Sequence, residues 1–278
     1  MNVQTVDFTS LTAPEKFTRS LKDTGFAILS NHPIKFELIK KVYNEWELFF
    51  NNQDKHNYIF DSKKQDGYFP YLSENAKGSN LKDLKEFYHI YPNGRYPNMI
   101  SKSTKDLYKS LTEIAEILLS WIERNIPQEI SIKFSMPLSK MVKNSPKNLL
   151  RIIHYPALNG NEKHGMVRAA AHGDINLLTV LVAGTEPGLQ VQDINGEWHD
   201  VSCNPGTIAI NTGDMLQLTS SGYFPSTIHR VINPEGELPN KSRFSMPLFL
   251  HPHDTVKLSD EYSALEYLNK RLKEIGLK

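Results

Sequence analysis

Ala171-His-Gly-Asp-Ile-Asn-Leu-Leu-Thr-Val-Leu181 sets two metal-ligating side chains, His172 and Asp174, directly ahead of an apolar, β-prone run. On an extended strand this i, i+2 spacing turns both side chains to one face, within reach of one ion. A third candidate, His229, lies in Ser226-Thr-Ile-His-Arg-Val-Ile232, a second strand-like run that folding can bring alongside. Two imidazoles and one carboxylate form a facial triad that holds iron(II) and leaves coordination positions open. Arg243 and Ser245 are another i, i+2 pair. A guanidinium beside a hydroxyl suits a carboxylate. An open metal next to such a clamp suggests a 2-oxo acid chelated to the metal.

Outward from this stretch the period stays strand-like. Leu149 to Tyr155 stops at Pro156. Leu177 to Val182, Gly188 to Gln192, Thr207 to Asn211, Met215 to Leu218, Ser226 to Ile232 and Arg243 to Leu250 read as further short strands. Turns such as Asp193-Ile-Asn-Gly196 separate them. Many short strands at even spacing suggest a sandwich or barrel. Before residue 148 the pattern is mostly helical. Helices are expected over 12–24, 34–52 and 104–126, with a strand at Phe26 to Leu29 and a polar, aromatic, turn-rich stretch at 53–103. A last helix is expected over 259–275. A single domain of 278 residues is expected, with a helical, variable region at 1–147, a β core at 148–255 and a terminal helix at 256–278.

Several blocks together resemble a known family. They are Ala171 to Leu181, Gly188-Leu-Gln-Val191, Asn211-Thr-Gly-Asp-Met-Leu216, Thr227-Ile-His-Arg-Val231 and Arg243-Phe-Ser-Met-Pro-Leu-Phe249, with Gly25 to Leu29 and Asn31-His-Pro33 near the start. In this order they resemble the iron(II)/2-oxoglutarate dioxygenases, in the subgroup of isopenicillin N synthase. The resemblance implies a mainly β fold with flanking α: a double-stranded β-helix, or jelly roll, buttressed by amino-terminal helices and a carboxy-terminal helix. It implies iron(II) on His172, Asp174 and His229, and 2-oxoglutarate as cosubstrate with O2. Arg243 and Ser245 would hold the far carboxylate, with Tyr155 and Arg151 on the strand before. The reaction implied couples oxidative decarboxylation of 2-oxoglutarate to hydroxylation, desaturation or cyclisation of a small metabolite. Ile153 and Ala157-Leu158 depart from the plant pattern, which carries asparagine at the first position and a second proline and a cysteine after Tyr155-Pro156.

The mouth of the site is expected in 65–90, where Tyr68, Phe69, Tyr71 and Tyr88 are candidate substrate contacts, and Arg168 is a candidate for a substrate carboxylate. Aromatic packing of a helical layer onto the barrel explains the four aromatics equally well. His172 and Asp174 could instead be a hydrogen-bonded pair, and His229 a satisfied core residue. Ten histidines are present, and most must serve such ordinary roles. An Arg243 inside an apolar strand, however, needs a compensating anion.

Composition sets outer bounds. Lys plus Arg number 32 and Asp plus Glu 31, which argues against a partner that is nucleic acid. No apolar run is long enough for a membrane span, and no signal peptide is visible. The single cysteine, Cys203, reads as a small buried or loop residue and fits a reducing cytoplasm. Three other readings stay open here: an iron oxidase on the same scaffold that does not use 2-oxoglutarate, a zinc hydrolase, and a non-catalytic jelly-roll binding module. The oligomeric state is not legible.

Overall fold

The structure, a computed structural model, describes residues 1–61, 63–74, 81–202, 204–234 and 240–274. Cys203 lies outside these residues. The first half of the chain contributes β1 (Thr5–Asp7), β2 (Phe26–Ser30), β3 (Gly67–Phe69) and β4 (Glu86–Ile90). The second half contributes β5 (Leu149–Tyr155), β6 (Ala169–His172), β7 (Leu178–Val182), β8 (Leu189–Gln192), β9 (Trp198–Asp200), β10 (Ile208–Thr212), β11 (His229–Val231) and β12 (Arg243–Leu250). Eight strands form one sheet in the order β1-β2-β10-β7-β12-β5-β4-β3, and four form a second, β6-β11-β8-β9. The two sheets share an apolar layer that includes Phe26, Ile28, Phe87, Ile153, Val191, Ala209 and Val231. This is the expected jelly roll.

The pleat decides what each strand offers to which side. On β12, Phe244, Met246, Leu248 and Leu250 pack toward the helical layer. The alternate positions, Arg243 and Ser245, therefore face between the sheets. On β5, Leu150 and Ile152 go to the helices, while Ile153 and Tyr155 face the second sheet. The helical layer is α1 (Ala13–Thr24), α2 (Phe36–Asn51) and α3 (Ser103–Arg124), followed by the short α4 (Gln128–Ser131) and α5 (Leu138–Val142). Trp46 of α2 anchors it, donating its indole N–H to Thr104 Oγ1 at 2.9 Å. Gly25 closes α1 at φ 71°, and a side chain there would meet Thr227 Oγ1 at 2.3 Å. Only glycine fits both the turn and the contact.

Four expectations change. The region 1–147 is not merely helical, because it supplies four of the eight strands of the main sheet. Met215 to Leu218 is not a strand but part of α6 (Asp214–Thr219). Met215, Leu216 and Thr219 are buried at helical spacing, and Asp214 opens the first turn where an acid is favoured. The strand over Ser226 to Ile232 shrinks to β11. The last helix, α7 (Ala264–Glu274), begins five residues later than the expected 259.

Candidate metal centre and cosubstrate pocket

His172 ends β6 and His229 begins β11, and the two lie directly opposite each other across the pair. Ala169 faces Val231 in the same ladder, so three residue steps on β6 match two on β11. That extra residue is a β-bulge, and it lets both Ala169 and His172 face inward. Asp174 lies two residues beyond the end of β6. It is therefore not held by strand alternation, as the i, i+2 argument expected, but by its loop. Asp214 N donates to Asp174 O at 2.7 Å, and Thr179 Oγ1 and Asn211 Nδ2 donate to Asp174 Oδ2 at 2.6 and 2.7 Å.

These bonds leave the right atoms over. His172 Nδ1 lies 2.7 Å from Ala170 O, and His229 Nδ1 lies 3.1 Å from Thr227 O. Each contact makes Nδ1 the protonated nitrogen and presents Nε2 as a lone-pair donor. Asp174 keeps Oδ1, which lies 3.7 Å from His229 Nε2. One ligand atom from each of the three residues lies within 4.8 Å of the other two. Burial, and then the neighbouring His229, push His172 down to about 4, so it is a neutral imidazole at pH 7. Burial alone would raise the Asp174 carboxyl. The two imidazoles and the bonds from Thr179 and Asn211 outweigh that and hold it below its ordinary value.

Arg243 and Tyr155 are opposite partners in the β12–β5 ladder, and Ser245 faces Ile153. The guanidinium carbon sits 5.4 Å from the centre of the Tyr155 ring. Arg243 Nε donates to Glu186 O at 2.9 Å, while Nη1 has no hydrogen-bond partner among the described residues. Gly184 makes room, since a Cβ there would lie 2.6 Å from Arg243 Nη2. Burial raises the Tyr155 hydroxyl, which stays a neutral donor. An unpaired N–H on a guanidinium only 2% exposed marks a place for an anion.

The family model for the 2OG-Fe(II) oxygenase superfamily matches residues 146–252, and that for the non-haem dioxygenase N-terminal region, described for morphine synthesis, matches 6–109. A solved structure of a Shewanella oneidensis protein described as an oxygenase is 49% identical, covers 100% of both chains and superposes with a TM-score of 0.90. A 2OG-Fe(II) oxygenase family protein of Caulobacter crescentus is 30% identical over 98% of this chain and 99% of its own, with a TM-score of 0.81. Clavatol oxidase of Penicillium crustosum is 26% identical over 84% of this chain and 78% of its own. The chain belongs to the 2OG-Fe(II) oxygenase superfamily. It is an oxidoreductase, and its cofactor and cosubstrates are iron(II), 2-oxoglutarate and O2. The zinc hydrolase and the non-catalytic module give way to that assignment.

Not every candidate of the sequence reading reaches the interior of this oxygenase. Tyr68 and Tyr88 lie on the helix-facing side of β3 and β4, 2% and 0% exposed. Tyr68 donates to Glu86 Oε2, and Tyr88 donates to Arg95 O at 3.0 Å. Both pack against Phe49, so alternation makes them wall residues and not substrate contacts. Tyr71 is 40% exposed at the surface. Phe69 is on the opposite face and stacks between Phe60 at 4.3 Å and Phe87 at 4.5 Å. Arg151 does not join Arg243. Four residues along β5 put it roughly 13 Å from Tyr155 at the backbone. Its Nε donates to His89 Nε2 at 2.8 Å and its Nη1 to Glu74 Oε2 at 3.1 Å.

The sequence reading missed what surrounds Arg151. Lys85 Nζ bridges Glu74 Oε2 and Asp83 Oδ2, each at 2.8 Å, and Asp83 Oδ1 accepts the Ala170 N–H at 3.0 Å. Burial alone would lower the Lys85 ammonium, but the two carboxylates raise it to about 12. Burial and then the adjacent Arg151 push His89 well down, so its Nδ1 donates to Gln65 O while Nε2 accepts from Arg151. This network ties Asp83, Lys85 and His89 to Ala170, the residue whose carbonyl orients His172. No short motif carries it, because Glu74, the Asp83 to His89 stretch, Arg151 and Ala170 lie far apart in sequence and meet only on folding.

Proposed function

We propose that His172, Asp174 and His229 hold the iron(II), that Arg243, Ser245 and Tyr155 hold the far carboxylate of 2-oxoglutarate, and that the enzyme oxidises a C–H bond of a small-molecule metabolite. One observation carries the reading. Both imidazoles spend Nδ1 on a backbone carbonyl, His229 Nε2 lies 3.7 Å from the free oxygen of Asp174, and one ligand atom of each of the three residues lies within 4.8 Å of the other two. Two imidazole nitrogens and one carboxylate oxygen suit iron(II), and the unpaired Arg243 Nη1 suits an anion.

When bound, the metal with its cosubstrates supplies the oxidising power. The chain supplies placement. Thr179 and Asn211 hold Oδ2 of the Asp174 carboxylate, so that Oδ1 would be the oxygen left to hold the ion. Ser245 and Tyr155 offer neutral donors beside Arg243, which orient the cosubstrate's carboxylate. The stacked Phe60, Phe69 and Phe87 run from the partly exposed rim to the buried interior and form an apolar wall for the substrate. The paired family matches support a place in the isopenicillin N synthase-like subgroup. The need to keep iron in its reduced state supports a cytoplasmic location, and no helix among the described residues is long and apolar enough to cross a membrane.

The test is anaerobic iron titration of wild type and of His172→Ala, Asp174→Ala and His229→Ala, followed by a metabolite screen for stimulated succinate release. Loss of tight iron binding in all three is expected. Near-normal iron binding in all three would sink the ligand assignment. Substrate oxidation without succinate would point to the oxidase chemistry that dispenses with 2-oxoglutarate.

A further inference from the structure

A second guanidinium is buried at the Arg243 end of the barrel. Arg168, at the bend just before β6, is 2% exposed, like Arg243. Its Nη2 donates to the carbonyl of Lys241, two residues before Arg243. That bond ties Arg168 to the edge of β12 at which Arg243 and Tyr155 face each other. Arg168 Nε, like Arg243 Nη1, has no hydrogen-bond partner among the described residues. Burial, followed by the charge of Arg243, lowers Arg168 below the ordinary arginine value, while Tyr155 and Glu186 act the other way. The two guanidiniums are thus in electrostatic range of each other, with Glu186 as a nearby counter-charge.

Two buried like charges repel, and each leaves an N–H unmet. A fold retains such a pair where a ligand brings the missing anion. The charges also balance. Two guanidiniums, the Glu186 carboxylate and one ligand carboxylate sum to zero.

We propose that Arg168 is a second anchor for the carboxylate that 2-oxoglutarate carries far from the metal, so that the pocket selects dicarboxylic over monocarboxylic 2-oxo acids. This rests on the reading that Arg243 holds that carboxylate, and it moves Arg168 from the substrate to the cosubstrate.

The experiment is anaerobic calorimetry on the full chain loaded with manganese(II), titrated with 2-oxoglutarate or with 2-oxobutyrate, which lacks the far carboxylate. Arg168→Gln should weaken 2-oxoglutarate by roughly 10- to 100-fold, the scale of a lost charged hydrogen bond. It should leave 2-oxobutyrate and manganese affinities unchanged. Arg168→Lys keeps the charge without the fork and should give an intermediate loss. It decides the matter if the glutamine variant does not fold. Arg243→Gln is run in parallel. If it leaves 2-oxoglutarate binding unchanged, the reading of the clamp fails and the inference falls with it. If it weakens binding while both Arg168 variants bind 2-oxoglutarate as wild type does, the clamp stands and the second anchor is overturned.

Discussion

At the scale of single residues, in the proposed triad the oxygen of Asp174 that its neighbours hold matters as much as the one left for the ion. Thr179 and Asn211 both donate to Oδ2. Removing either lets the carboxylate rotate and compete for a different geometry. Asn211→Ala and Thr179→Val are therefore expected to lower iron affinity by roughly 10- to 100-fold, with little change in fold, as anaerobic titration and far-UV circular dichroism will check. Arg243→Ala should act on a different axis. It should raise the 2-oxoglutarate KM by an amount equivalent to about 2–5 kcal/mol while leaving iron binding near wild type. A parallel fall in iron affinity would count against the division of labour between triad and clamp.

At the scale of elements, β12 and β5 were legible to the residue. Their apolar runs are bounded by Pro156 and by the charged Arg243, and a period of two is hard to mistake over seven or eight positions. The alternation that puts Arg243 and Ser245 on one face of β12 was legible for the same reason, whereas Asp174 is held by its loop and His229 meets His172 only through the β6–β11 pairing. Met215 to Leu218 was not, because four residues, three of them apolar, fit a strand or one helical turn equally well. The bulge in β6 was hidden too, since it exists only relative to β11. The side that Tyr68 and Tyr88 face stayed open between packing and substrate contact, because nothing local says which face of a three- or five-residue strand meets the helices. The consequence is testable. Tyr88→Ala should cost about 3–5 kcal/mol of stability and leave the ratio of succinate to oxidised product unchanged, whereas Phe69→Ala should raise that ratio. The opposite pattern would return Tyr88 to the mouth of the site.

The same face of β4 carries a buried acid. Burial alone would raise Glu86, but His154, Tyr68 and Lys55 outweigh it and lower its carboxyl. A folded pKa below the unfolded value adds stability that is complete above about pH 4.3 and drains away as the pH falls through that value toward the lower folded one. Glu86→Gln should therefore lose roughly 2 kcal/mol at pH 7 and show a flatter decline in denaturant midpoint below pH 4.5. A decline parallel to wild type would mean that other carboxylates set the acid limb.

At the scale of the whole molecule, metal and cosubstrate should act as stabilisers, because the unfolded chain cannot bring together the proposed ligands His172 and His229. Manganese(II) with 2-oxoglutarate at about a hundred times the dissociation constant adds roughly 2.7 kcal/mol, or a Tm rise of about 5–10 °C for a chain of this size. A chelator should abolish the rise, and Arg243→Ala should keep the metal's share only. The main sheet also has a temporal side. Phe26 of β2 pairs with Asn211 of β10, and among the described residues β1 pairs with β2 alone. At ordinary elongation rates β2 leaves the ribosome on the order of ten seconds or more before its partner does. During that interval an apolar strand waits with one edge bare, and a chaperone holding the nascent amino-terminal segment would shelter it until β10 arrives.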